Sequence, residues 1–282
     1  MKAKEWLLIV LVSFIVITML GIIVTPEMIH SAQVANSKAT IDLIPTSIVP
    51  LSGDRIITKR YKITITLPTL TADEKPLVDA IRTAADNAKH EFLQALPDWK
   101  HLPEFADRQF DLLIDFKVIS QIDTFISILE TGSSNTGGAH PIPIKATFVY
   151  DRKLGKLITL ADLFTSFNPA LSALANFARS TLLEKFQIEA PKSDEGSLEA
   201  VQEWGFRMRQ MLNEGTQPTA ENYAAFIIQS AANIQTASPG IILVFPPYQI
   251  APYASGTQTV EVPAYIFAQF LKPNYLSSFA IQ

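Results

Sequence analysis

The chain has no cysteine, four histidines in 282 residues, and charge on only 18 % of positions. Without cysteine no disulfide braces the fold, and a bacterial lipoprotein anchor is excluded. His30, His90, His101 and His140 form no H-x-H or H-x-x-x-H pair, so the spacing of a histidine-built metal site is missing. A G-x-S-x-G elbow, a P-loop and a dinucleotide fingerprint are also missing, and no cofactor is expected. No internal repeat is visible. The formal net charge of −4 comes without a clustered basic face, which argues against nucleic acid.

What is there in quantity is apolar surface: 48 % of residues are hydrophobic and 10 % aromatic, enough for a sizeable core in one or two domains. Part of it is not core. Trp6 to Val24 runs without a charge and as a helix spans roughly 28 Å, about one hydrocarbon thickness. A cleaved signal peptide has an apolar stretch of about 7–15 residues ending in an A-x-A-like site. This run is longer, and the sites around Ala32 and Ala35 are poor, so an uncleaved anchor is expected. Lys2 and Lys4 precede the run and the next basic residue is Lys38, which predicts a cytoplasmic N-terminus and an exported remainder. Removing Lys2, Lys4 and Glu5 from 23 basic and 27 acidic residues leaves 21 and 26, a net charge of −5 on the exported part.

The patterning predicts an α+β fold: an N-terminal transmembrane helix, then a two-part exported domain of antiparallel sheet and helices. The expected organisation is an anchor at 1–24, a tether at 25–40, a first part at 41–135 and a second at 136–282. Ile41 to Pro50 reads as an edge strand. Ile56 to Leu67 reads as one strand, with Tyr61, Ile63, Ile65 and Leu67 on one face. Its basic residues, Arg55, Lys59, Arg60 and Lys62, fit a solvated face or an anion-binding patch. Asp73 to Leu96 carries Leu77, Ile81, Ala84, Ala88, Phe92 and Leu96 at helical spacing. Asp73 is preferred as N-cap over a Thr71–Glu74 capping box, because it keeps Pro76 in the first turn.

Phe110 to Ser120 and Thr124 to Thr131 predict a hairpin, with Phe110, Leu112, Ile114, Phe116 and Val118 inward and Asp111 and Asp115 outward. Those two aspartates fit a solvated face better than an acid–base pair. A strand at Ile144 to Tyr150 follows, then a short helix capped at Thr159. Two long helices are expected, one opened by Asn168-Pro169 and one over Ser197 to Asn213 that Gly215 stops. Strands are read at Tyr223 to Ser230, Asn233 to Ala237, Gly240 to Phe245 and Thr259 to Val262, and a last helix at Pro263 to Leu271 with Pro263 at N1.

Two stretches stand out as candidate binding elements. Thr136-Gly137-Gly138-Ala139-His140 lies between strand-like runs, where adjacent glycines allow a sharp turn and close backbone approach. Tyr248 to Gly256 is an aromatic, proline-rich loop carrying Tyr248 and Tyr253. The alternatives are a hydrogen-bonded structural histidine at a turn, and a rigid turn that packs two tyrosines into the core. Thr136, Gly137, Gly138, His140, Tyr248 and Tyr253 are the candidate binding residues; no catalytic or metal-binding residue is assigned.

T-G-G-A-H at Thr136 to His140, D-x-x-x-G-K at Asp151 to Lys156 and I-T-L-x-D-L-F at Ile158 to Phe164 resemble the extracytoplasmic region of RsiV-like proteins. So do Y-Q-I-A-P-Y-A-x-G at Tyr248 to Gly256 and V-x-V-P at Val260 to Pro263. Ile56 to Glu130 is similar to the domain that precedes the catalytic domain in PdaC-type peptidoglycan deacetylases. The resemblance covers about residues 41 to 272. It implies an α+β fold and membrane attachment, and for the anti-sigma members an outer domain that binds lysozyme. Two departures limit it. Five residues before the apolar run are too few to grip a sigma factor, where about 20–30 residues a side are usual, so no sigma-factor partner is expected. The metal-binding catalytic domain of the deacetylases is not matched either, and a non-enzyme is expected.

The reading is a membrane-anchored extracytoplasmic binding module that recognises a cell-wall glycan or a lysozyme-like protein. Its rivals are a glycan-acting enzyme using His140 with a nearby carboxylate, and a structural envelope component.

Overall fold

A computed structural model describes residues 48–49, 53–97, 107–122, 124–188, 198–229 and 239–281. The apolar run Trp6 to Val24, the tether, the loop at 98–106 with His101, and the strand expected at Asn233 to Ala237 lie outside these residues. Among the described residues no helix is long and apolar enough to cross a membrane.

The described chain is α+β. Strands β1 (Ile48–Val49), β2 (Arg55–Ile57), β3 (Tyr61–Thr66) and β4 (Leu70–Thr71) precede helix α1 (Lys75–Gln94). Then come β5 (Phe110–Gln121), β6 (Phe125–Asn135), β7 (Ile142–Asp151) and β8 (Lys156–Leu157). Helices α2 (Phe167–Ile188) and α3 (Leu198–Gly215) follow, and β9 (Phe226–Gln229), β10 (Gly240–Phe245) and β11 (Gln258–Pro263) close the chain. A six-stranded sheet has the order β2-β3-β5-β6-β7-β8, a three-stranded sheet the order β11-β10-β9, and β1 pairs β4.

All pairings are antiparallel except β3 with β5, which run parallel. The reason is local. A parallel pair needs a long crossover, and α1 supplies it between β3 and β5. The expected single strand at Ile56 to Leu67 is instead the hairpin β2–β3, because the Thr58 hydroxyl accepts the N–H groups of Arg60 and Tyr61 and turns the chain. Before α1 the Thr71–Glu74 capping box does form: the Thr71 N–H donates to the Glu74 carboxylate at 2.8 Å. Asp73 is not the N-cap of the long helix. The box closes a 3-10 turn, Ala72–Glu74, and α1 starts after it, so Pro76 still falls in the first turn of α1.

One face of the large sheet packs on α1, and part of the other face joins a second core. Strand alternation sends Leu112, Ile114, Phe116, Ile126 and Ile128 toward α1, while Phe125 and Val149 join a second core with α2, α3 and the small sheet. Val118 breaks its expected alignment. A register shift between Val118 and Ser120 leaves Val118 exposed and turns Ser120 inward. The helical stripes on α2 land as expected: Leu171, Leu174, Ala178, Leu182 and Phe186 are buried. The last expected helix does not form. Pro263 ends β11, and the 3-10 turns Ala264–Ile266 and Ala268–Phe270 follow.

The turns quoted in the resemblance have structural work. The buried Asp151 carboxylate accepts the N–H groups of Lys153 and Leu154 at 2.9 Å each and the Tyr275 hydroxyl at 2.8 Å, while Gly155 takes φ +64°. Burial and the facing carboxylate push the Tyr275 hydroxyl up to about 12. Thr159 and Asp162 form a capping box on the 3-10 turn Leu160–Leu163, with the Asp162 carboxylate accepting both the N–H and the hydroxyl of Thr159 at 2.8 Å.

The two sheets meet through side-chain hydroxyls. β9 is an edge strand, and the N–H groups of Phe226 and Ile228 point away from β10. The Phe226 N–H donates to the Thr147 hydroxyl at 2.9 Å and the Ile228 N–H to the Ser127 hydroxyl at 3.0 Å. Ser127 is fully buried and also donates to the Ile228 carbonyl at 3.4 Å. An open strand edge is thus satisfied by the face of the other sheet.

Ser127→Ala strands a buried N–H and is expected to lower stability by about 1–3 kcal/mol, read from the urea midpoint; a change within error contradicts this account of the junction. The backbone and side-chain hydrogen bonds from Thr159, helped by Lys156, hold the Asp162 carboxyl below its ordinary value. That stabilisation is complete above the unfolded carboxylate value and is lost as pH falls through the folded one. Asp162→Asn is therefore less stable than the parent at pH 7, with a deficit that shrinks at pH 3. An undiminished deficit at pH 3 would show that charge is not the cause.

Candidate functional site

The β6–β7 turn and the loop after β10 meet. β6 runs four residues further than its hydrophobic pattern predicts, to Asn135, and delivers the chain to the turn. There the Asn135 side chain works both ways. Its amide donates to the Asp111 carboxylate at 3.2 Å and its carbonyl accepts the Gly137 N–H at 3.2 Å. Gly137 takes φ +97°, which favours glycine; a side chain at Gly138 would meet nothing closer than the His140 carbonyl at 3.7 Å. Thr136 is half-buried and lies away from His140, along a cleft beside α1.

The facing loop is held at its base by α3. The Gln249 side-chain amide donates to the carbonyls of Gly215 and Asn222, at 3.0 and 2.8 Å. A methyl group at Gly215 would sit 2.0 Å from the Gln249 carbonyl oxygen, so the loop approaches α3 only because that helix ends in glycine. Thr216 beside it is buried. Its hydroxyl accepts from Arg179 at 2.9 Å, and its carbonyl accepts the Tyr223 hydroxyl at 3.0 Å. Burial pushes the Tyr223 hydroxyl well above its ordinary value. On this base Tyr248 adopts φ +74°, a left-handed conformation that is costly for a bulky residue.

The result is a cluster of three rings. Tyr253 stacks on His140 with centroids 4.2 Å apart and planes 17° from parallel. Tyr248 lies 6.0 Å from His140 and 5.7 Å from Tyr253. The Tyr248 hydroxyl is 2.7 Å from His140 Nε2, and His140 Nδ1 is 3.1 Å from the Pro141 carbonyl. A carbonyl only accepts, so Nδ1 carries the proton, and in the neutral imidazole Nε2 then accepts from the Tyr248 hydroxyl. The rings are not core: Tyr248 is 51 % exposed, His140 is exposed and Tyr253 half-buried. A rigid turn packing both tyrosines inward is not what forms.

His140, Tyr248 and Tyr253 are thus brought together from positions over a hundred residues apart, Gly137 and Gly138 shape the approach, and Thr136 faces elsewhere. Gln249 and Gly215, on which the loop depends, were not singled out by sequence; the glycine closing α3 reads as a helix stop and says nothing of a neighbour. Both ring nitrogens of His140 are engaged, and among the described residues no carboxylate bonds to it. Among the described residues no group of three or more His, Asp or Glu converges to hold a metal ion. Flat, partly exposed rings with a hydroxyl at the rim suit contact with the apolar face and hydroxyls of a ligand.

Residues 161–265 match the family described as "Protein of unknown function (DUF3298)". Over 173 residues the chain is 24 % identical to the peptidoglycan-N-acetylmuramic acid deacetylase PdaC of Bacillus subtilis (strain 168), an alignment covering 61 % of this chain and 32 % of that protein. The chain therefore matches about a third of that relative's length. Two crystal structures are similar. A DUF3298 family member from Bacteroides fragilis NCTC 9343 has a TM-score of 0.53 at 14 % identity, over 81 % of this chain and 95 % of that one. A DUF3298 family protein from Pseudomonas aeruginosa PAO1 has a TM-score of 0.48 at 18 % identity, over 80 % and 96 %. The first supports the mixed α+β fold described above.

The strain at Tyr248 gives a test of the loop independent of any ligand. Glycine is the residue this backbone favours and alanine is not, so Tyr248→Gly should be more stable than Tyr248→Ala by about 1 kcal/mol. The reverse order in urea midpoints would place Tyr248 outside the left-handed region.

Proposed function

We propose that this chain is a membrane-tethered, extracytoplasmic binding module of the RsiV-like and PdaC N-terminal type, without catalytic activity of its own, that recognises a cell-wall glycan. The observation that carries the reading is the His140–Tyr248–Tyr253 cluster, assembled at the surface from two loops and held by backbone strain. Strain at an exposed aromatic persists where the surroundings enforce it, and such positions concentrate at ligand sites. A rigid tyrosine presents a large contact area at small entropic cost and keeps a polar tip for a hydroxyl partner.

Support for a wall ligand comes from the similarity to PdaC, whose name describes a deacetylase of peptidoglycan. Support for the membrane tether is the uncharged run Trp6 to Val24 and its preceding lysines, which orient the remainder outside the cytoplasm. The division at residues 135 and 136 is proposed as a division of origin between the two resembled domains. A lysozyme-like protein is the alternative partner of the same surface.

The test is retention of the full chain on purified peptidoglycan sacculi and, separately, on immobilised lysozyme. Saturable retention on sacculi that falls at least about ten-fold in the double variant Tyr248→Ala, Tyr253→Ala is expected, a loss of about 1.4 kcal/mol. Retention on lysozyme alone would transfer the site to a protein partner. Retention on neither, or retention indifferent to both tyrosines, contradicts the proposal.

A further inference from the structure

Beside the turn, on the face of the large sheet that α1 covers, a second feature stands apart from the ring cluster. A cavity of about 380 Å³ lies between α1 and strands β6 and β7. Its walls are largely apolar, with Ala84, Ala88 and Phe92 from the helix and Ile142 and Ile144 from β7. Glu130 also lines it. This residue is 4 % exposed and occupies an inward position of β6, two residues beyond Ile128, between Phe116 on β5 and Ala146 on β7.

The Glu130 carboxylate has no hydrogen-bond or ion-pair partner among the described residues. The nearest basic residue on β7, Lys145, pairs with Thr131 and so projects to the opposite face of the sheet. The other ionisable residue in the lining, Glu91, is also acidic, and the remaining polar members are Asn87, Ser134 and Thr136. Burial pushes the Glu130 carboxyl above its ordinary value.

An isolated carboxyl in such a place is costly to keep charged. A buried polar group with no partner calls for one, and here it borders a space of ordinary small-ligand size, about 300–1,000 Å³. Two carboxylates and no cation in the lining set the sign of that partner. The alanines, Phe92 and the isoleucines set its body.

We propose that this cavity binds a small-molecule primary amine, its ammonium group paired with Glu130 and its short alkyl chain lying along Ala84, Ala88, Phe92 and Ile144. The bound ammonium donates to the carboxylate and holds it ionised, and the apolar walls pack against the alkyl chain. The site is independent of the ring cluster and of the glycan reading. Of the candidate binding residues named from sequence, only Thr136 borders it.

The probe is n-pentylamine, with 1-pentanol and pentanoate as matched controls, titrated calorimetrically into the full chain in detergent micelles against a protein-free micelle blank. Saturable binding of pentylamine, at least ten-fold tighter than either control, is expected. Glu130→Gln keeps the shape and removes the charge; it should weaken pentylamine binding at least ten-fold while leaving the melting temperature unchanged or raised. Ala88→Leu, which fills the cavity from the helix and leaves Glu130 in place, should abolish binding and covers the case in which Glu130→Gln does not fold. Equal binding of pentanol, undiminished binding in both variants, or no saturable binding overturns the proposal. Tighter binding of N-acetyl-lysine amide than of pentylamine would overturn the free-amine assignment in favour of a lysine side chain.

Discussion

The arrangement depends on one junction: two hydroxyls on the large sheet, Ser127 and Thr147, accept the outward N–H groups of the edge strand β9. A strand edge left open in water invites pairing with another chain, and one buried without partners is expensive. Here the edge is closed by side chains that stand on the face of a neighbouring sheet. The choice sets position as well as stability. Phe226 sits over Thr147 and Ile228 over Ser127, so β9 follows the large sheet from the β6–β7 pair toward the β6–β7 turn as it is read backwards. β10, antiparallel to β9, then runs forward in that direction and releases Pro246, Pro247 and Tyr248 where His140 waits.

The loop is fastened from below as well. Gly215 lets the Gln249 backbone within a distance that no side chain would permit, and the Gln249 amide spans the Gly215 carbonyl at the end of α3 and the Asn222 carbonyl in the turn that follows. With β10 before it and Gln249 fastened after it, Tyr248 is held in a conformation it would not choose, and its hydroxyl meets the histidine. Local strain, helix end and sheet junction are parts of one device that presents three rings. Thr136 of the same turn borders the cavity beside α1, so one connection serves two different surfaces.

Much of the fold was legible because its signals are local. The period-2 runs of β3 and of β5 up to Phe116, and the stripe of α2, are decided by burial on one face, and they fall where the pattern places them. What failed were decisions between local alternatives that tertiary context settles. In sequence the Thr71–Glu74 box conflicts with Pro76, yet a 3-10 turn accommodates both. The extension of β6 through Gly132, Ser133 and Ser134 has no hydrophobic signal, since only pairing with β5 and β7 makes it a strand. The ring cluster was half visible: both loops could be picked out, but their contact follows from the sheet junction, which leaves no mark beyond an ordinary serine and threonine. Glu130 did leave one. In Phe125 to Glu130 it holds the inward parity of Ile126 and Ile128, and a charge at that parity is a question the alternation itself raises.

The junction is tested most directly by amide hydrogen exchange at Phe226 and Ile228. Both N–H groups face away from β10, so an ordinary edge strand would exchange them with little protection. Bonded to the buried Ser127 hydroxyl, the Ile228 amide is expected to exchange only through global unfolding, and the Phe226 amide, bonded to the half-buried Thr147 hydroxyl, more slowly than an open edge strand would allow. Fast exchange at Ile228, alongside slow exchange at its ladder-paired neighbour Ile227, would contradict the account.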